Sequence, residues 1–272
     1  MNYDLRLELS FKNILQLEKK LDFCLTNSID KINIPCKGLI KKDLLNETVE
    51  YIGKNYKDLD VIYHYSLYYQ FNRNRENSYL TFLDFIKKCT SYKNKEILLV
   101  SGSNKKNNFD ALDLLRDLRN ERNLNINIGI AYNPYLKKYY NNSEERLRFE
   151  KKLSSGLIKS IWLQFGTDIE LLVSEIEFLK KTILYYSSYS DFNNVKIFGS
   201  LFIPSNQFIS RFKFRPWKGV YISDKYLNSL IRFNDFTKEL IKIYLDNNIC
   251  PLIETDCNSI KKLQDIHTFL KK

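Results

Sequence analysis

A single (β/α)8 barrel is the fold this 272-residue chain predicts, and three observations lead to it. Short β-branched or aromatic runs alternate without interruption with longer stretches of helical periodicity, which implies parallel strands joined by right-handed crossovers. Several runs are apolar on both faces, Ile97-Leu98-Leu99-Val100 and Ile197-Phe198 among them, as strands covered by helices must be. The turn after the first run reads Phe11-Lys12-Asn13, and neither GxGxxG nor GxxxxGK[ST] occurs, so the phosphate turn of an open doubly wound sheet is missing. Eight strand–helix units in this length fit the closed barrel.

In order, the strand candidates are residues 5–11, 31–35, 60–67, 96–102, 126–132, 160–165, 195–203, 219–223 and 251–255. Nine exceed eight, and 219–223 is the accessory. It follows the Arg215-Pro216-Trp217 breaker and leads straight into another helix, making one strand/helix insertion before the last barrel strand. Between the strands, residues 13–27 set Ile14, Leu15, Leu17, Leu21 and Leu25 on one helical face. Residues 109–122 repeat Leu112, Leu115 and Leu118, and 168–187 carry Leu171, Leu172, Ile176, Leu179 and Ile183. Ser143-Glu144-Glu145 and Asp168-Ile169-Glu170 put acidic groups where a helix dipole is positive. No linker or low-complexity tract interrupts the alternation, so one domain over 1–272 is expected.

Hydrophobic residues make up 44% and charged residues 28%, near the globular average, which excludes general disorder. No apolar run approaches the ~20 residues of a membrane helix. The first nine residues carry Asp4, Arg6 and Glu8 and show no signal or transit pattern, so a cytoplasmic location is expected, with mitochondrial as the alternative. Five cysteines without a CxxC pair and two distant histidines, His64 and His267, give no reason to expect a metal site. The net charge of +11 is spread as lysine doublets along the chain. That pattern reads as a solvated surface, so neither nucleic acid nor membrane is the expected partner.

Chemistry in such barrels gathers at the C-terminal ends of strands. Those ends supply Glu8 and Ser10, Pro35 and Cys36, His64 and Ser66, Ser101-Gly102-Ser103, Tyr132-Asn133-Pro134, Gln164 and Gly166, Pro204 and Ser205, Glu254 and Thr255. The ring is polar with few ionisable groups. It lacks the paired carboxylates of a glycosidase and the His/Asp cluster of a metal hydrolase, and it suits a flat, hydrogen-bonding cofactor.

A series of motifs then comes in a telling order. Leu98-Leu99-Val100-Ser101-Gly102, Ile128-Gly129-Ile130-Ala131-Tyr132, the helix from Glu145 to Gly156, Ile161-Trp162-Leu163-Gln164-Phe165 with Asp168, Val195-Lys196-Ile197-Phe198-Gly199-Ser200 and Pro251-Leu252-Ile253-Glu254-Thr255 are collinear with "xxALRGD", "VAxYPE", "DLxxLKxKVxAGA", "ITQxFFD", "IPIIPGI" and "HFYTLN". In this order the chain resembles the methylenetetrahydrofolate reductase family. The resemblance implies a barrel that binds FAD and reduces 5,10-methylenetetrahydrofolate to 5-methyltetrahydrofolate with NAD(P)H as co-substrate. It implies that Glu8, in the place of the "FEFFPP" glutamate, is the general acid. It gives His64, Ser101, Gly102, Tyr132, Glu145 and Lys152 to the cofactor, and Ser103 and Gln164 to the folate.

Two departures stand out. Ser101-Gly102-Ser103 replaces "RGD", removing an arginine and an aspartate. Gln164 meets the folate-binding glutamine only with one residue inserted after Gly156; without it Leu163 falls there. The alternative is a diverged pseudo-enzyme barrel that serves as a protein-binding or assembly factor, as a homo-oligomer or within a protein complex.

Overall fold

Most helices begin where a short polar side chain can bond the exposed N–H groups of the first turn. Asn13 accepts from the Gln16 amide at 2.9 Å, Asn74 from Asn77 at 2.8 Å, Asp168 from Leu171 at 3.1 Å and Ser205 from Phe208 at 3.1 Å. Asp110 and Asp113 form a reciprocal capping box. The structure, a computed structural model, describes residues 5–38, 40–101, 109–119, 121, 125–140, 144–188, 195–255 and 259–270.

The elements are β1 (Arg6–Glu8), α1 (Ile14–Thr26), β2 (Lys31–Ile34), α2 (Lys42–Asn55), β3 (Asp60–Ser66), α3 (Leu67–Gln70), α4 (Arg75–Ser91), β4 (Glu96–Val100), α5 (Ala111–Leu118), β5 (Asn127–Tyr132), α6 (Leu136–Tyr140), α7 (Glu145–Leu153), β6 (Ile158–Leu163), α8 (Ile169–Ser187), β7 (Lys196–Leu201), α9 (Asn206–Phe214), α10 (Asp224–Leu227), α11 (Leu230–Asp246), β8 (Ile249–Ile253) and α12 (Ile260–Leu270). The strands follow chain order, β1 to β8, in a closed barrel. Pairing is parallel: Glu8 lies opposite Asn33, His64 opposite Leu98 and Trp162 opposite Phe198. The (β/α)8 barrel is the fold. The insertion before the last strand consists of a parallel bridge between Gly166 and Tyr221, then α10.

Some boundaries differ from those the sequence predicts. β1 ends at Glu8 because, after the Leu9 amide bonds the Asn33 carbonyl at 2.9 Å, the chain turns toward the Asn13 cap. β8 starts at Ile249, so Pro251 sits inside the strand opposite Gly199 rather than at its start. α5 ends at Leu118, short of residue 122.

Contacts divide the chain into two compact units, residues 6–130 with 155–159, and chiefly residues 131–154 and 160–272. In the first, Tyr63 and Tyr65 pack outward on Phe82 and Phe85 of α4, with ring centroids 4.7 to 6.4 Å apart. Side chains alternate along a strand, so Ile62, His64 and Ser66 face inward. In the second unit a Cβ on Gly199 would meet the Tyr244 ring of α11 at 2.3 Å. The outward face of β7 is therefore closed tight at that point, and Phe198 and Ser200 face inward. Phe198 stacks there on Trp162 at 3.9 Å and 8°.

Candidate functional site

The first unit gathers ionisable groups on the inward face of β1, β2 and β3. Arg6 and Glu8 are two apart on β1 and so share a face; they are 3% and 4% exposed. Arg6 is held on all sides. Its Nε donates to Asn33 Oδ1 at 2.7 Å, one terminal nitrogen to Asp60 Oδ2 at 2.8 Å, and the other to the Ile32 and Asp60 carbonyls, both at 2.8 Å. Glu8 receives Lys37 Nζ at 2.5 Å on Oε1, and its Oε2 lies 3.8 Å from His64 Nδ1. His64 Nε2 is 2.9 Å from Asn33 Nδ2.

These contacts fix the protonation of the histidine. An arginine can only donate, so the Asn33 atom facing Arg6 is the amide oxygen. The Asn33 NH2 is left facing His64 Nε2, which must accept. A neutral imidazole accepting at Nε2 carries its proton on Nδ1, and Nδ1 faces Glu8. Burial holds His64 down at about 4, against the raising influence of Glu8, while Lys37 and Arg6 add to the lowering. His64 is therefore neutral at neutral pH, with an N–H directed at a buried carboxylate. Beside this group, burial raises the Cys36 thiol; its sulfur accepts from Gln70 Nε2 at 3.3 Å.

The second unit spends its polar groups differently. Tyr132 is 2% exposed and turns out into the helix layer. Its ring meets Phe149 of α7 at 5.2 Å and its hydroxyl donates to Glu175 of α8. Burial, with Glu175 second, raises that phenol. Arg146 completes the group, bonding Glu175 at 2.7 Å and lying over the Phe178 ring at 4.5 Å. Glu145 Oε1 accepts from the Asn133 amide at 3.1 Å, Asn133 Nδ2 donates to the Gly219 carbonyl at 2.8 Å, and Gln164 Oε1 accepts from the Phe165 amide at 2.9 Å. Lys152, on α7, is 6% exposed. Ser200 donates to Glu254 at the end of β8.

Of the residues the sequence singles out, Glu8 and His64 are brought together. Gly102 and Ser103 lie outside the described residues. Ser101, in the first unit, accepts from the Ala111 amide at 3.0 Å, at the start of α5. FAD is the cofactor the resemblance implies; of the side chains offered to it, Ser101 bonds the start of α5, Tyr132 and Glu145 are held by contacts within the second unit, and Lys152 is buried. Arg6, Asn33, Lys37 and Asp60 are members of the polar group that sequence reasoning missed. Asn33, polar between Ile32 and Ile34 in a short strand, was the available signal. Among the described residues no group of three His, Cys, Asp or Glu side chains is placed to share a metal ion, and no helix is long and apolar enough to cross a membrane.

No protein-family model matches the chain, and no curated protein matches it. Solved structures do. The chain is similar to a thermostable aldo-keto reductase in complex with epalrestat, with a TM-score of 0.55 and 14% identity over 99% of this chain and 90% of that one. It is also similar to an aldo-keto reductase from Klebsiella pneumoniae in complex with NADPH, with a TM-score of 0.52 and 10% identity over 99% and 86%. A third is active domain 2 of a chitinase from Pyrococcus furiosus, with a TM-score of 0.55 and 8% identity over 92% and 82%. At these identities the likeness is one of fold.

Proposed function

We propose that the protein is a barrel oxidoreductase that acts on a small molecule with NAD(P)H as reductant, and that Glu8 handles the proton accompanying hydride transfer. The observation that carries this reading is the buried Glu8 carboxylate at the end of β1, 3.8 Å from the Nδ1 of a histidine held in one tautomer. A proton-handling group at a strand C-terminal end is what carbonyl reduction needs, to protonate the alkoxide that hydride leaves, and what a methylene-bridged diamine needs, to protonate the amine that departs as the iminium forms. Lys37 is half exposed; in this reading its displacement frees Glu8 Oε1 for a substrate, while the His64 N–H faces Oε2 from 3.8 Å. The fold shared with a reductase solved in complex with NADPH is consistent with a nicotinamide partner.

The finer reading, 5,10-methylenetetrahydrofolate as substrate with Glu8 protonating the folate amine, rests on the resemblance in motif order and on the position of Glu8. The commitment of Ser101, Tyr132 and Glu145 to internal contacts speaks against FAD in that reading. It also favours the second reading, a diverged barrel that binds a protein partner without catalysis.

The test uses purified full chain with NADH or NADPH, alone and with carbonyl compounds or methylenetetrahydrofolate, following nicotinamide fluorescence and oxidation. Saturable binding, with oxidation only when an acceptor is present and lost in Glu8→Gln, is expected. Absence of nicotinamide binding, or turnover indifferent to Glu8→Gln, would overturn the proposal.

A further inference from the structure

From Ser205 to Ser223 the chain has no acidic residue, and its middle interleaves cations with rings: Arg211-Phe212-Lys213-Phe214-Arg215-Pro216-Trp217-Lys218. α9 carries the first half of this run and the turn after it the second. Phe212 packs inward at 4% exposure, whereas Phe214 is 91% and Trp217 40% exposed. Phe202, Phe208 and Phe212 hold the Trp217 ring from beneath, with centroids 5.2, 5.5 and 5.9 Å away. Trp217 therefore stands on a packed aromatic base, and Phe214 projects at the last residue of α9, close by in sequence.

The surroundings extend the same character. Lys213 Nζ donates to Asn228 Oδ1 at 2.8 Å, an uncharged acceptor that leaves the lysine's charge uncompensated. Asn228 leads into α11, whose first turn exposes Ile231 and Arg232. The acids nearest in sequence are Asp224, on α10, and Asp235, which pairs with Lys238 at 3.4 Å. Along the chain, cations thus outnumber acids on either side of an apolar tip.

We propose that this edge, following β7, is a docking surface for an anionic lipid headgroup layer, with Phe214 and Trp217 entering the layer and Arg211, Arg215 and Lys218 meeting the phosphates or carboxylates. Aromatic side chains settle at the water–lipid boundary, and each basic side chain near an anionic leaflet adds about 1 kcal/mol. A single-stranded nucleic acid carries the same charge, but stacked bases need ring faces lining a cationic groove. Phe214 projects from the surface, which suits insertion into a soft layer. The contact is peripheral and independent of the reaction proposed for Glu8.

The experiment is flotation of the full chain with phosphatidylcholine vesicles, with and without phosphatidylserine, at low salt. Tryptophan emission is the second readout, because of the two tryptophans Trp162 is 4% and Trp217 40% exposed. Binding only to phosphatidylserine vesicles, with a blue shift of the emission, is expected. Replacing Arg215 and Lys218 by Gln weakens partition about 25-fold, roughly five-fold per cation, and Phe214→Ser abolishes most of the rest without changing the melting temperature. Equal partition onto both vesicle types, no emission shift in the unmodified chain, undiminished binding by the variants, or preferential capture of single-stranded RNA in competition with the vesicles would each overturn the proposal.

Discussion

On β1, β2 and β3 the side chains that alternate inward include Arg6, Glu8, Asn33 and His64; on β6 and β7 the corresponding side chains are Ser160, Trp162, Phe198 and Ser200. In the first set Arg6, Asn33 and His64 form a chain of hydrogen bonds, and Glu8, bonded to Lys37, lies 3.8 Å from the imidazole. In the second, Trp162 lies flat on Phe198 and donates its indole N–H to Ser160 at 2.7 Å. Glu175 of the second unit is instead held in the helix layer, where Arg146 and Tyr132 satisfy it. Burying a carboxylate and an arginine is costly compared with burying rings. Strands β1, β2 and β3 thus carry that cost, at the place proposed for the chemistry, whereas β6 and β7 fill the same inward face with rings and hydroxyls.

The difference can be broken by mutation. Glu8→Gln should lower turnover by about 10²- to 10⁴-fold with little change in the urea midpoint, since the amide keeps the shape of the carboxylate. Trp162→Ala should behave in the opposite sense, costing about 3–5 kcal/mol of stability through the lost stacking and the void left behind. Denaturation curves for both variants decide the matter. Equal destabilisation would show that the two sets of strands do the same job.

A third test lies in pH. The unfolded chain protonates His64 near the ordinary 6.5, the folded chain only near 4. Above 6.5 neither form carries the proton and the histidine has no effect. As pH falls from 6.5 toward 4, the unfolded state gains a proton the folded state refuses, and stability drops by roughly 3 kcal/mol. His64→Gln should flatten that part of the pH dependence, as urea midpoints at pH 7 and pH 4.5 will report; parallel slopes in parent and variant would remove His64 from the network. The smallest effect belongs to Lys37→Gln. The lysine is half exposed although Glu8 is buried, so water replaces part of the lost compensation and the cost is about 1–2 kcal/mol, a few degrees in melting temperature, with turnover changed by less than about five-fold.

The alternation of apolar runs and helical periods was enough to read the barrel, because each unit states its period locally. The placement of Glu8 and His64 was legible for a similar reason: the same local periods put both residues at strand C-terminal ends. Arg6 and Asn33 were not, because their roles depend on register. Only when Glu8 falls opposite Asn33, and Asn33 opposite Ile62, do the arginine, the amide and the imidazole come within reach. Tyr132 shows the other limit. A shift of one residue in strand parity decides whether a strand-end side chain faces in or out. Gly129 and Ala131 take the inward positions of β5, leaving Ile130 and Tyr132 to the helices. The smallness of those two residues beside two large ones was the only sign in the sequence.

The relay from Arg6 through Asn33 to His64 is most directly tested by the imidazole nitrogen shifts of His64, assigned against His64→Gln since the chain has two histidines. The structure predicts a neutral ring protonated at Nδ1 at pH 7, titrating near 4. A ring protonated at Nε2, or one that titrates near 6.5, would contradict it.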